Sequence, residues 1–95
     1  MIKVIAKLTI KEDMVEEFKS RITELVAETR KEDGCLAYQL FQDVKYKNIL
    51  TFVEDWESME VLQKHMNSKH FQETMPKLSE LQEKDTELSV STLVI

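Results

Sequence analysis

Glu54, Trp56, His65 and His70 fall within seventeen residues of one another, and they are the side chains best suited to chemistry in this chain. A histidine titrates near neutral pH, so one shielded from water suits proton abstraction from an acidic phenol or carbon acid. His65 follows Val61 by four residues and Leu62 by three, so it borders the inward stripe of a short helix. It is the candidate base; the alternative is a half-buried histidine bonded to a backbone carbonyl. Trp56 closes a strand just before that helix, where an aromatic either fills the gap between helix and sheet or walls a site for an aromatic ligand. Glu54 lies two residues back on the same strand face, and on the helix side it is expected to orient the His65 ring. Otherwise it is a surface carboxylate.

The remaining candidates are weaker. Tyr38 offers a hydroxyl from the preceding strand, with its face left open by parity. Phe71, Met59, Met66 and Met75 are core side chains or an adaptable apolar lining. His70 shares a face with Thr74 and Lys77 and is expected to meet solvent. His65 and His70 are five apart, about 140° around a continuous helix, and no third ligand is evident, so no metal site is expected. Cys35 has no basic neighbour to lower its pKa and reads as a packed residue. One glycine in the whole chain leaves no phosphate-binding loop, nucleophile elbow or dinucleotide fingerprint. No motif for haem or flavin is visible.

The elements that must hold these residues follow from periodicity. Met1–Ile10 alternates as a strand, with Ile2, Val4, Ala6, Leu8 and Ile10 on one face and Lys3 and Lys7 on the other. Asp13 with Glu16 reads as an N-cap and capping box for a helix carrying Val15, Phe18, Ile22, Leu25, Val26 and Thr29 inward. Arg30 and Lys31 suit its negative end. Gly34 marks a turn, and Cys35–Gln42 and Ile49–Trp56 read as strands joined by the polar loop 43–48. Ser58 caps a helix with Met59, Val61, Leu62 and Met66 on its apolar side. Ser68 caps another bearing Phe71, Met75, Leu78 and Leu81, with a kink or restart expected at Pro76. Glu87–Ile95 reads as a last strand. The order is β-α-β-β-α-β with the second helix broken: an α+β, ferredoxin-like domain over residues 1–95, helices on one face of an antiparallel sheet. Val4 with Ile5, Leu40 with Phe41, and Phe52 with Val53 make both sheet faces apolar, so a second copy is expected against the uncovered face.

Composition narrows the partners. Thirteen basic residues against eighteen acidic ones give a net charge of −5, the wrong balance for a nucleic-acid binder. Hydrophobic residues make up 42% of the chain, ordinary for a globular domain, and no run reaches the ~20 apolar residues of a membrane span. With one cysteine no internal disulfide is possible, and a cytoplasmic setting is expected.

The run FVEDWES at Phe52–Ser58, LQKH at Leu62–His65 and SKHFQ at Ser68–Gln72 resembles the antibiotic biosynthesis monooxygenase family, as do IKVIAKLTI and EDGCLAYQLF. The resemblance implies a dimeric α+β barrel built sheet to sheet, with a pocket between sheet and helices in each subunit. It also implies oxygenation of quinols, anthrones or similar aromatics without metal or flavin: a base removes a proton, the anion reduces O2, and a peroxide collapses to the quinone. His65 matches the family's helix histidine and would be the base; Trp56 would wall the pocket. Haem-degrading relatives use a first-strand asparagine, and Met1–Ile10 contains none. Relatives that isomerise small phosphorylated carbonyl compounds leave a second reading open, with His65 and His70 exchanging protons. A dimeric ligand-binding module without activity is the third.

Overall fold

The computed structural model describes residues 1–95. Four strands, β1 (Ile2–Thr9), β2 (Cys35–Gln42), β3 (Ile49–Trp56) and β4 (Glu87–Thr92), form one sheet in the order β2-β3-β1-β4. Every neighbouring pair is antiparallel. Helices α1 (Val15–Arg30), α2 (Met59–Met66) and α3 (Lys69–Ser79) complete a ferredoxin-like α+β fold.

The register sets which side chains meet the helices. Val4 pairs with Glu54, Ala6 with Phe52 and Leu8 with Leu50; Tyr38 pairs with Glu54 and Leu40 with Phe52. These residues share a face. Val4, Ala6, Leu8, Tyr38, Leu50, Phe52 and Trp56 are buried there against Phe18 and Ile22 of α1, Leu62 of α2, and Leu78. The opposite face carries Ile5, Phe41 and Val53 beside the Lys3–Asp55 ion pair at 3.2 Å. Ile5 and Phe41 are exposed.

Local sequence explains most element ends. Ser58 and Ser68 both cap as their side chains allow, accepting from the backbone N–H of Val61 and of Phe71. Gly34 adopts φ +85°, and an added Cβ there would lie 2.6 Å from a Val61 methyl. Glycine is therefore required twice over, by conformation and by clearance.

Four expectations are corrected. Asp13 does not cap α1: Glu12–Met14 forms a turn of 3₁₀-helix, and α1 starts from Met14 without a side-chain cap. Pro76 does not interrupt α3, which runs through it from Lys69 to Ser79. The packing of this helix on α1 and the burial of Leu78 outweigh the lost donor. Met59 is exposed rather than apolar lining, because it opens the first turn of α2. The last strand ends at Thr92, and Leu93 to Ile95 lie beyond it, exposed.

Candidate active site

A cavity of about 250 Å³ opens between the sheet and helices α2 and α3. Val4, Ala6, Leu8 and Phe52 form its floor, Leu62, Met66, Phe71 and Met75 its helical wall. Leu88 and Thr86 stand at its β4 side. Three polar side chains with acid–base character reach this apolar space: Tyr38, Glu54 and His65. A few convergent polar groups in an apolar cavity are the usual make-up of a small-molecule site.

β3 supplies Glu54 by parity. Its neighbours Phe52 and Trp56 on the same face are large and apolar, so the carboxyl is nearly removed from water, with 6% of the residue exposed. Trp56 Nε1–H donates to Glu54 Oε1 at 2.9 Å. Burial pushes the Glu54 carboxyl up to about 7, and the tryptophan bond offsets only part of that. Tyr38, paired across from Glu54, is also raised, first by burial and then by the Glu54 charge. It keeps its proton at neutral pH and is a hydrogen-bond donor there.

His65 lies in the last turn of α2 with 2% of its side chain exposed. Its ring is held by aromatic neighbours: Trp56 at 4.5 Å between centroids, Phe71 at 5.0 Å and Tyr38 at 5.6 Å. Its Nδ1 lies 2.7 Å from Glu32 Oε2. A carboxylate acceptor there selects the tautomer with the proton on Nδ1 and leaves Nε2 as a lone pair. Burial lowers the pKa of the imidazole, with Glu32 opposing it. The ring is therefore neutral at physiological pH and able to accept a proton.

The structure brings His65, Glu54, Tyr38 and Phe71 together around the cavity. Trp56 does not line it. The indole is fully buried, fills the space between β3 and α2, and holds the Glu54 carboxyl and the His65 ring from behind. Glu54 is not the group that orients His65; that is Glu32, in the turn between α1 and β2. His70 is not solvent-facing either. Its side chain is 23% exposed and its Nε2 lies 3.1 Å from the same Glu32 oxygen. The interruption of the helix at Asn67–Ser68 re-aims α3 and brings the two imidazoles to 6.2 Å between centroids.

Sequence reasoning missed Glu32, which lies 33 residues from His65. The one available signal was its place just before Gly34, where the chain must turn. Thr86 and Leu88 were missed as well, since β4 reads only as a strand. Cys35 is half-buried, and burial together with Glu32 and Glu54 pushes its thiol up, away from nucleophilic use.

The sequence and fold have recognisable relatives. The chain matches the model of the antibiotic biosynthesis monooxygenase family over residues 1–77, and it belongs to that family. A crystal structure of an antibiotic biosynthesis monooxygenase superposes with a TM-score of 0.95 at 34% identity, over 100% of both chains. A conserved protein from Methanosarcina mazei Go1 gives 0.93 at 39% identity, covering 95% of this chain and 89% of that one. The Bacillus subtilis protein YcnE, which carries a provisional monooxygenase name, is 33% identical over 81 residues, 85% of each chain. A Synechocystis protein, sll1783, is 28% identical over 89 residues; this chain spans 60% of its length. No helix is long and apolar enough to cross a membrane.

Proposed function

We propose that this protein is a monooxygenase that oxidises a small aromatic quinol with O2, with His65 as the base and no metal or flavin in the reaction. The observation that carries this reading is the buried His65 ring at an apolar cavity, its Nδ1 bound to Glu32 and its Nε2 unbonded. Family membership supports it. So does the cavity wall, which presents no lysine or arginine to a phosphate; this weighs against the isomerase of a phosphorylated carbonyl compound.

The chemistry balances with O2 alone. His65 Nε2 takes a phenolic proton, and the electron-rich ring passes an electron pair to O2, forming a C–O bond and a peroxide. Loss of the ring C–H proton then breaks the O–O bond. One oxygen stays in the hydroxyquinone and the other leaves as water. Tyr38 O–H and the protonated Glu54 are the donors that would stabilise negative charge on oxygen. The apolar walls exclude water and favour the uncharged quinol on entry.

Sheet-to-sheet pairing through Ile5, Val53 and Phe41 belongs to the same proposal, with the domain acting as a dimer in the cell interior. Oxygen uptake by chelator-treated protein across a quinol panel tests the chemistry. Uptake that His65→Ala abolishes is the expected result. If no substrate supports uptake and an aromatic ligand still binds, the protein is a binding module instead. A monomer at micromolar concentration in light scattering would remove the dimer.

A further inference from the structure

The cavity chemistry uses one side of His65 and leaves the other unexplained. There, His65 Nδ1 and His70 Nε2 converge on one oxygen of Glu32, at 2.7 and 3.1 Å. The three donor atoms all lie within 4.8 Å of one another. We propose that Glu32, His65 and His70 form a binding site for a divalent transition-metal ion of the zinc class, and that the ion, once bound, silences His65 as a base.

Donor chemistry comes first. Two imidazole nitrogens and a carboxylate oxygen suit zinc, cobalt or nickel and are a poor set for magnesium or calcium, which take oxygen ligands. Spacing comes next. At ordinary Zn–N and Zn–O lengths, two ligands of a tetrahedral ion stand roughly 3.4 Å apart. The two separations from Glu32 fall short of that value by less than 1 Å, and the two imidazole nitrogens lie within 4.8 Å of each other, so small side-chain shifts admit the ion. An ion at the centre replaces the two N–H protons that now point at a single carboxylate oxygen.

The donors are also held in place before any ion arrives. Glu32 sits in a turn closed by its own N–H to Thr29 O, by Cys35 N–H to Glu32 O, and by the positive φ of Gly34. Ser68 Oγ–H donates to His65 O and caps α3 two residues before His70. The break between α2 and α3 is thus what converts a poor helical spacing into a convergent pair. Trp56 and Phe71 pack around the His65 ring, an apolar shell of the kind that strengthens metal–ligand bonds. Glu32 and His70 remain 18% and 23% exposed, which gives the ion a path in and leaves a fourth position for water.

The consequence for the base follows from the imidazole itself. A neutral ring that gives Nδ1 to a metal carries its proton on Nε2, and that nitrogen then has no lone pair for a quinol. This consequence rests on the proposed monooxygenase chemistry; the metal site does not.

The test uses the intact chain. Trp56 is its only tryptophan and lies against His65, so nickel, with its partly filled d shell, is expected to quench the emission saturably. Zinc is expected to displace nickel and restore it, and calorimetry is expected to give one zinc per chain. His70→Ala and Glu32→Gln should each weaken zinc by at least about tenfold, while Cys35→Ser leaves it unchanged. His70 is partly exposed, so its variant tests the site without emptying the core; circular dichroism checks the fold. Absence of saturable binding, or binding indifferent to His70→Ala, overturns the site. In the oxygen-uptake assay, zinc should inhibit the wild type. Zinc binding with the expected variant pattern but no uptake on any quinol upholds the site and removes the monooxygenase reading. Uptake insensitive to saturating zinc overturns the silencing.

Discussion

Glu54 and Glu32 serve the same site from unlike surroundings. Glu54 projects from the inner strand β3 into an apolar cavity, where its one hydrogen bond, from Trp56, does not make up for lost water. Glu32 lies in a surface turn and collects two imidazoles on one oxygen. Environment therefore assigns the roles: the first is a carboxyl that holds a proton near neutrality, the second an acceptor that fixes a ring. A carboxyl in the cavity can give up a proton during a reaction. One bound to His65 Nδ1 is more useful kept in place.

The largest expected effect falls on the ring between them. His65→Ala should lower oxygenase turnover by about 10²–10⁴-fold, the usual range for loss of a general base, as read by oxygen uptake. If turnover survives, Glu54 is the base and the contrast between the two carboxyl groups is reversed.

Glu54→Gln tests the cavity side through stability. The Glu54 carboxyl rises from 4.5 to about 7 on folding, so the folded state binds its proton more tightly than the unfolded chain. Its contribution is complete below pH 4.5 and declines as pH rises toward 7, by a total on the order of 3 kcal/mol. Denaturant melts at pH 4.5 and 8 should show that decline in the wild type and lose most of it in Glu54→Gln. An unchanged slope would mean that the carboxyl is solvated.

Gly34→Ala tests the outer side. The strained φ and the 2.6 Å approach to Val61 should cost about 1–3 kcal/mol in a denaturant melt, and should move Glu32 relative to α2. Loss of zinc affinity is then expected along with lost stability, while the Glu54 titration stays in place. Smallest of the four, Trp56→Phe removes the hydrogen bond to Glu54 and should cost about 1–2 kcal/mol. It should raise the Glu54 pKa further above its present value, read by carboxyl NMR chemical shift against pH.

The cavity side was far more legible in the sequence than the outer side. Alternation placed β2 and β3 with correct ends, and the serines before α2 and α3 announced their caps, because these signals are local. Once β3 was known, Glu54 followed Trp56 onto its face by parity. Asp13 misled because a turn of 3₁₀-helix took the position where a cap was expected, and Pro76 misled because tertiary packing overrode a local breaker. Glu32 had no local signal at all: its meaning arises from a contact across 33 residues. His70 was read as solvent-facing for the same reason, since the break at Asn67–Ser68 is visible in sequence but its angle is not.

The strand order also governs how anything reaches the cavity. β4 lies at the edge of the sheet, paired only with β1, and all six of its residues are exposed. Its Leu88 stands at the cavity wall. Parting β4 from one neighbour therefore widens the entrance without disturbing the strand pairs that hold Glu54 and Tyr38. Such an opening needs less free energy than global unfolding. The entrance thus belongs to an edge strand with one partner, whereas Glu54 stands on β3, paired on both sides, so the entrance and the cavity carboxyl can be tuned by separate mutations.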